Sequence, residues 1–143
     1  MDSVVLDTNV LLDYFSSARP EHETADDLMH ELVAANTTLY VVATSLKDLY
    51  YILRRMGGES AARQATTAVI RSMTLLPVDA NCCQSALTSS EPDFEDGIIR
   101  AAAEAAHVTY LISRDKDGFA GSSVPRITPA QALCELHVTR EVP

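Results

Sequence analysis

VVLDTNVLLD, at residues 4–13, joins a short apolar run to an acid and then to a second apolar stretch. The run at residues 4–6 is typical of a buried strand. In residues 8–15 the apolar side chains recur at helical spacing, which predicts a helix. Asp7 lies at the junction, so this stretch predicts a strand that ends at an acid and passes directly into a helix.

Helix-like and strand-like segments alternate along the rest of the chain. Helices are predicted at residues 21–35, 45–56, 59–72, 80–87, 94–107 and 129–136, and strands at residues 39–42, 75–78, 109–112 and 125–127. Thr44 or Ser45 is expected to cap the second of these helices, and Val33, Met56 and Ile70 are expected to face the core. The alternation predicts a three-layer α/β/α sandwich with a mainly parallel central sheet of four to five strands.

The composition is that of a globular domain with an acidic surface. The 143 residues are 47% hydrophobic, which fits one domain spanning residues 1–143, with a core at about residues 3–136 and a frayed C-terminus. The formal net charge of −9 argues against a protein that coats nucleic acid electrostatically. A nuclease is still compatible with this charge, because a bound cation and a few local arginines or lysines can attract a phosphate backbone.

The cysteines and histidines do not form a zinc-binding pattern. Cys82 and Cys83 are adjacent, Cys134 is distant in sequence, and the four histidines are dispersed, so reduced thiols are expected. No basic leader precedes an apolar run, and no apolar stretch is long enough to cross a bilayer. We therefore expect a cytoplasmic protein with no membrane segment.

Four acids that are scattered along the chain, Asp7, Asp48, Asp96 and Asp115, are predicted to meet at one edge of the sheet. Sites in open parallel sheets form beyond the carboxyl ends of the strands. Asp7 ends the first strand, and Asp48 lies one turn into the helix after the second. The helix of Asp96 spans roughly 20 Å and the next strand returns about 13 Å, so Asp96 and Asp115 are expected at the same edge.

Each acid also has a purely local alternative. Asp7 can cap the helix that follows it, and Asp96 can stabilise the positive end of its own helix. Asp115 can be a turn former, since the turn dipeptide Asp117-Gly118 lies beside it, and Asp48 can be a solvated helix acid. Independent surface acids would spread over the molecule, whereas these four share an edge, which favours a common role.

Clustered carboxylates raise one another's pKa unless a cation lies among them. The expected ligands are all oxygen atoms, which favours Mg²⁺ or Mn²⁺ over Zn²⁺. A divalent ion in such a cleft can activate a water and clamp a phosphate oxygen. The acids therefore suggest metal-dependent cleavage of a phosphodiester.

The sequence around these acids resembles the motifs of PIN-domain proteins. VVLDTNVLLD resembles the opening motif of that family, DFEDGII at residues 93–99 resembles its third-acid motif, and LISRDKDGF at residues 111–119 resembles its fourth. SLKDLYYIL, at residues 45–53, lies where the family has its second acid. The ordered set, which covers about residues 3–136, is more specific than any one of its motifs.

The resemblance implies an α/β/α fold and an Mg²⁺- or Mn²⁺-dependent endoribonuclease. Many small bacterial members are VapC-type toxins that a small antitoxin holds inactive, and relatives are often homodimers. Carried over by position, the metal ligands are Asp7, Asp96 and Asp115, the second acid is Asp48, and the supporting polar groups are Asn9 and Ser113, with Asp117 as an alternative or helper to Asp115. Asp48 is shorter than the usual Glu, and Gly97 replaces the usual small helix former after Asp96.

Several cations are expected near the predicted cleft, where they would guide the RNA backbone: Lys47, Arg54, Arg100, Arg114 and Lys116. The helices at residues 21–35 and 45–56 are expected to supply a homodimer interface and to lie near the antitoxin, because both are apolar along one face.

Two other function classes remain. One is a catalytically weak PIN-like binding or complex-assembly module, which a metal titration would separate from the enzyme. The other is a phosphotransfer domain, which also gathers acids at this edge. It is disfavoured because a phosphatase of that type has Asp-x-Asp after its first strand, and here the sequence is Asp7-Thr8-Asn9.

Overall fold

The computed structural model describes residues 1–142. Helices and strands alternate, as predicted. The strands are β1 (Ser3–Leu6), β2 (Thr38–Val42), β3 (Thr74–Leu76), β4 (Tyr110–Ile112) and β5 (Arg126–Ile127). The helices are α1 (Thr8–Phe15), α2 (His22–Ala34), α3 (Ala43–Gly57), α4 (Glu59–Ser72), α5 (Ala80–Thr88), α6 (Phe94–Ala106) and α7 (Pro129–Glu141).

The five strands form one parallel sheet in the order β3-β2-β1-β4-β5. β1 is central, with Val5 paired to Tyr40 of β2 and to Leu111 of β4. Because successive side chains point to opposite faces, Val4 and Leu6 pack on one side and Val5 on the other. The first side is covered by α1–α4 and α7, and the second by α5 and α6. The predicted α/β/α sandwich is confirmed.

The start of α3 differs from the prediction. β2 passes directly into α3 at Ala43, and Val42 at the N-cap makes no side-chain capping bond. Thr44 and Ser45 therefore lie inside the first turn instead of capping it. Their hydroxyl oxygens are buried, and neither has a hydrogen-bond partner among residues 1–142.

Three residues that were predicted to face the core are exposed. Val33 and Ile70 lie beside Leu32 and Val69, which take the core positions with 0% exposure. Adjacent helical residues differ by about 100° in direction, so only one of each pair can face the sheet. Met56 is 51% exposed near the end of α3.

The last helix is longer than predicted. It was expected to end at Leu136 with frayed residues beyond, but α7 continues to Glu141. Thr128 caps it in a reciprocal bond with Gln131, and Pro129 occupies its first position, as the sequence predicts. Near its end Arg140 lies 2.9 Å from the Glu31 carboxylate of α2, a contact between helices that local sequence does not encode. No helix within residues 1–142 combines the length and apolarity that a membrane crossing requires.

Candidate active site

An acidic cleft of about 390 Å³ opens at the carboxyl edge of the sheet. The end of β1, the second turn of α3, the first turn of α6 and the loop after β4 all reach it. The four predicted acids line it together: Asp7, Asp48, Asp96 and Asp115, with Thr8, Asn9, Leu12, Tyr51, Ile52, Arg55 and Glu95. The topology brings these acids together because parallel strands all end at this edge.

Asp7 is the buried floor of the cleft. Its backbone N–H donates to Ile112 of β4, which continues the sheet to the point where α1 begins. One carboxylate oxygen accepts from the Thr8 N–H at 2.7 Å, and the other accepts from the Ser113 hydroxyl at 2.7 Å. Burial raises the pKa of Asp7, while the hydrogen bonds from Ser113 and Thr8 oppose the rise. Asp7 therefore caps its helix and also faces the cleft.

Ser113 joins the first acid to the fourth. Its oxygen, fully buried, accepts from the Asp115 N–H at 3.0 Å while its hydroxyl donates to Asp7. One Asp115 oxygen then accepts from the N–H groups of Asp117 and Gly118, at 3.0 and 3.1 Å. Asp117 lies exposed on this turn, outside the cleft lining. Of the two acids that the sequence left open, Asp115 is the one that reaches the cleft.

Gly118 leaves room for the Asp115 carboxylate at this wall of the cleft. A Cβ at Gly118 would lie 2.9 Å from the second Asp115 oxygen and 3.5 Å from an Asp96 oxygen. The first distance is shorter than real Cβ contacts permit, so a side chain here would force the Asp115 carboxylate to shift, whereas the second is an ordinary contact.

Asp96 lies in the first turn of α6, and its N–H donates to the capping carboxylate of Asp93 at 3.1 Å. Burial, followed by the charges of Asp7, Asp93 and Asp115, raises its pKa to about 7. Gly97, the departure from the family pattern, lies against α5: a Cβ there would meet the Ala86 Cβ at 3.0 Å. Close packing of α5 on α6 explains this glycine.

Glu95 is a fifth acid in the cleft, which the sequence reasoning missed. A hydrogen bond with Asp48, then burial and the charge of Asp48, raise the pKa of Glu95 to about 7. Burial disfavours the Asp48 charge, but the bonds from Glu95 and Lys47 lower its pKa overall. The Lys47 ammonium is 3.2 Å from the Asp48 carboxylate. Glu95 lies inside the DFED motif, yet the motif does not reveal that it turns toward α3.

The predicted RNA-guiding cations do not all lie at the cleft. Arg100 faces the other way, with its side chain 14% exposed and paired to Glu91 at 3.2 Å and Glu104 at 2.8 Å, and it also donates to the Gly121 carbonyl. Arg114 is turned toward α1, where its guanidinium binds Asp13 at 2.7 Å. Nearby acids on and before α6 therefore satisfy Arg100, and an acid distant in sequence satisfies Arg114, which corrects the expected placement of both arginines.

The remaining predicted cations are exposed. Lys47 lies beside the cleft on Asp48, whereas Arg54 and Lys116 are exposed outside its lining. The arginine that lines the cleft is Arg55. Helical spacing identifies it in retrospect, because Arg55 lies seven residues after Asp48 and therefore on the same face of α3.

The donor atoms of the cleft suit a hard divalent cation. Its ligating side chains are carboxylates and the Asn9 amide, without histidine or cysteine. Burial raises the pKa of Asp7 and Asp96, and the contact with Asp48 raises that of Glu95, shifts that a bound cation would oppose. Within residues 1–142, no three His, Cys, Asp or Glu side chains already stand at metal-holding spacing. The fit therefore rests on donor chemistry.

Solved structures share this fold at low sequence identity. VapC20 of Mycobacterium tuberculosis, a toxin that cleaves the sarcin–ricin loop, is 20% identical with a TM-score of 0.65, and the match covers 80% of this chain and 91% of that one. A toxin–antitoxin complex from Klebsiella pneumoniae is 22% identical with a TM-score of 0.66, and the match covers 88% of this chain and 97% of that one. VapBC2 of Rickettsia felis, bound to a promoter DNA fragment, is 14% identical with a TM-score of 0.66, and the match covers 88% of this chain and 98% of that one.

Comparison of the sequence with protein-family models identifies the family. No curated protein sequence matches the chain significantly. The family model of the PIN domain, however, matches residues 3–117, which include β1, the acid of α3 and the first turn of α6. This chain therefore belongs to the PIN-domain family.

Proposed function

We propose that the protein is an Mg²⁺- or Mn²⁺-dependent endoribonuclease and the toxin of a VapBC-type toxin–antitoxin pair. One observation supports this proposal above others: the four acids at the PIN motif positions line a single cleft, and two of them have raised pKa values. Clustered acids whose ionisation is disfavoured by burial and by one another are expected where a cation completes the site.

Asp7, Asp96 and Asp115 would hold the ion, and Asp48 would bind it directly or hold a water beside it. A bound divalent ion supplies a Lewis acid for the phosphate oxygen and lowers the pKa of a nearby water. Ser113 fixes Asp7 and the Asp115 backbone relative to each other, which orients two of the proposed ligands.

Asp48 and Glu95 form a proton-sharing pair at the other wall of the cleft. The pKa of Asp48 is lowered and that of Glu95 is raised to about 7, so one proton is shared between them near neutral pH. Such a pair can hold or accept a proton from a water that attacks an RNA phosphodiester in line. Asn9, an exposed residue of the cleft lining, would orient that water or the substrate.

The proposed partners are an RNA substrate, a small antitoxin and a second copy of the chain. VapBC complexes are among the similar structures, and a chain of net charge −9 suits a basic partner. Val33 and Met56 expose apolar surface on α2 and α3, the two helices expected to form interfaces. The proposed site of action is the cytoplasm.

Asp7→Asn tests the enzyme directly. The amide keeps the size of the side chain but removes the charge, so we expect Mn²⁺-dependent RNA cleavage to fall by at least about a hundredfold. The change should leave a cooperative thermal transition in place. Cleavage at the wild-type rate by a folded, purified variant would overturn the assignment. A wild-type protein that neither binds Mn²⁺ in a titration nor cleaves RNA would favour the assembly-module alternative.

A further inference from the structure

The cleft-facing side of α3 carries a second arrangement besides its acid. Asp48, Tyr51, Ile52 and Arg55 line the cleft at spacings of three, four and seven residues, which is one stripe of a helix. Leu49 and Leu53 of the same helix are buried in the core. The cleft stripe extends for about 10 Å, with a carboxylate at one end, a guanidinium at the other and an aromatic ring between them.

Tyr51 is an exposed ring with a defined support. It lines the cleft, yet 52% of its surface is accessible. The Tyr50 ring packs on it at a centroid distance of 5.2 Å and an interplanar angle of 82°. The Tyr50 hydroxyl in turn donates to Glu59 at 3.0 Å. An aromatic ring that has an edge-type neighbour and is half-exposed offers a surface on which a planar group can stack.

Arg55 is an exposed cation without a carboxylate partner. Within residues 1–142 it makes no ion pair of 4.0 Å or less, although the chain carries an excess of acids. The paired arginines are Arg19, Arg63, Arg100, Arg114 and Arg140. A free guanidinium at the rim of an acidic cleft is available to a phosphate, which the carboxylates alone would repel.

We propose that Tyr51 and Arg55 form a platform for an unpaired RNA nucleotide. Its base stacks on the Tyr51 ring, its phosphate pairs with Arg55, and the adjoining phosphodiester is directed toward the four acids. Only a base that has left a duplex exposes a face for stacking, so the platform selects single-stranded or looped RNA over helical RNA. This inference rests on the proposed ribonuclease function and names a substrate-positioning surface for it.

The test measures binding of a short, unstructured, dye-labelled RNA by fluorescence anisotropy, with Ca²⁺ in place of Mg²⁺ to suppress cleavage. Tyr51→Leu should weaken binding about fivefold to a hundredfold, which corresponds to one lost base stack, and Tyr51→Phe should restore it. RNA made of abasic nucleotides should bind weakly and equally to the wild type and Tyr51→Leu. That loss of dependence identifies the base as the group that contacts the ring.

Arg55→Gln should weaken binding and reduce the slope of log affinity against log salt by about 0.7, as expected for one lost phosphate contact. The matched control is Arg71→Gln, because Arg71 also lies in the last turn of an exposed helix, on α4 and away from the cleft. Arg71→Gln should change neither quantity. Equal effects of the two substitutions would overturn the platform, since they would show only a general charge effect.

Two further outcomes would also overturn the proposal. Tyr51→Phe keeps the ring and should therefore bind RNA as the wild type does, so an equal loss of affinity in Tyr51→Phe and Tyr51→Leu excludes stacking. A wild-type dimer that dissociates in Tyr51→Leu, with RNA affinity unchanged, assigns the ring to a protein interface. Cleavage activity distinguishes a failure of the platform from a failure of the proposed function. If the wild type cleaves RNA but RNA binding does not depend on Tyr51 and Arg55, the platform alone is refuted. If RNA binds through Tyr51 and Arg55 but the protein shows no Mn²⁺-dependent cleavage, the proposed function is refuted.

Discussion

Asp115 holds its own loop with one carboxylate oxygen, and its other oxygen lies against Gly118 in the loop. Asp7 likewise caps α1 while it lines the cleft. The local and the functional interpretations of these acids are therefore compatible, because a carboxylate has enough acceptor sites for both. Loop geometry and site geometry are consequently coupled, and a small change in the loop should be felt at the acids.

Gly118→Ala tests this coupling at a single residue. The new Cβ would begin 2.9 Å from an Asp115 oxygen, so the carboxylate or the loop must shift. We expect Mn²⁺ affinity to fall and cleavage to drop by about tenfold to a hundredfold, in line with small misplacements in other active sites. Isothermal titration and single-turnover cleavage measure the two effects. Gly57→Ala is the control, because its Cβ would make an ordinary 3.5 Å contact. Equal activity in both variants would contradict the prediction.

At the scale of elements, a buried acid of α1 holds the loop that follows β4. Asp13 is 1% exposed, and its carboxylate accepts from Arg114 at 2.7 Å and from Arg19 at 2.8 Å. Arg114 is adjacent to both Ser113 and Asp115, so the α1 contact anchors the strand end from which the fourth acid projects. The opening motif thus contributes a structural acid as well as the acid of the cleft.

Asp13→Asn should destabilise the protein by about 1.5–3 kcal/mol, because it weakens charge-assisted bonds to two arginines. The loss of stability is expected to be about 1.5 kcal/mol where water replaces the carboxylate at the two partly exposed guanidiniums. Urea unfolding measures the change in free energy. Asp26→Asn is the control, since the ion pair of Asp26 within residues 1–142 is with the exposed His30 on the same helix, and its loss should change stability by less than about 0.5 kcal/mol. A similar effect of both substitutions would show that the Asp13 network contributes little.

The sequence predicts helix existence better than helix orientation. α1 and α4 have the predicted bounds, because Asp7 caps the start of α1 and because Gly58 and β3 flank α4. The predicted start of α3 was wrong because β2 passes directly into the helix. The predicted end of α7 was wrong because the helix continues through Arg140, which contacts Glu31 of α2. Glu95 and Arg55 were missed in the site for a related reason: packing of whole helices determines which side of each one faces the cleft.

At the scale of the molecule, the cleft concentrates negative charge in a chain whose net charge is already −9. Burial and neighbouring acids raise the pKa of Asp96 to about 7, and the Asp48 bond raises that of Glu95 to about 7. Their ordinary values are 3.8 and 4.5. An acid with a raised pKa in the folded state binds its proton more tightly there than in the unfolded chain. These groups therefore destabilise the metal-free fold most strongly above about pH 7.

The metal-free protein should accordingly become more stable as the pH falls from about 8 to about 5, between the raised and the ordinary pKa values. A bound divalent cation stabilises the charged carboxylates and so offsets the burial and repulsion that raise their pKa values. Mn²⁺ should therefore raise the unfolding temperature more at about pH 8 than at about pH 5.5. Scanning calorimetry with chelator or with Mn²⁺ measures both. Asp96→Asn should flatten the pH dependence in chelator, because the amide does not titrate. A metal-free protein that loses stability over this interval, or an Mn²⁺ effect that is the same at both pH values, would show that these carboxylates are not the groups a cation relieves.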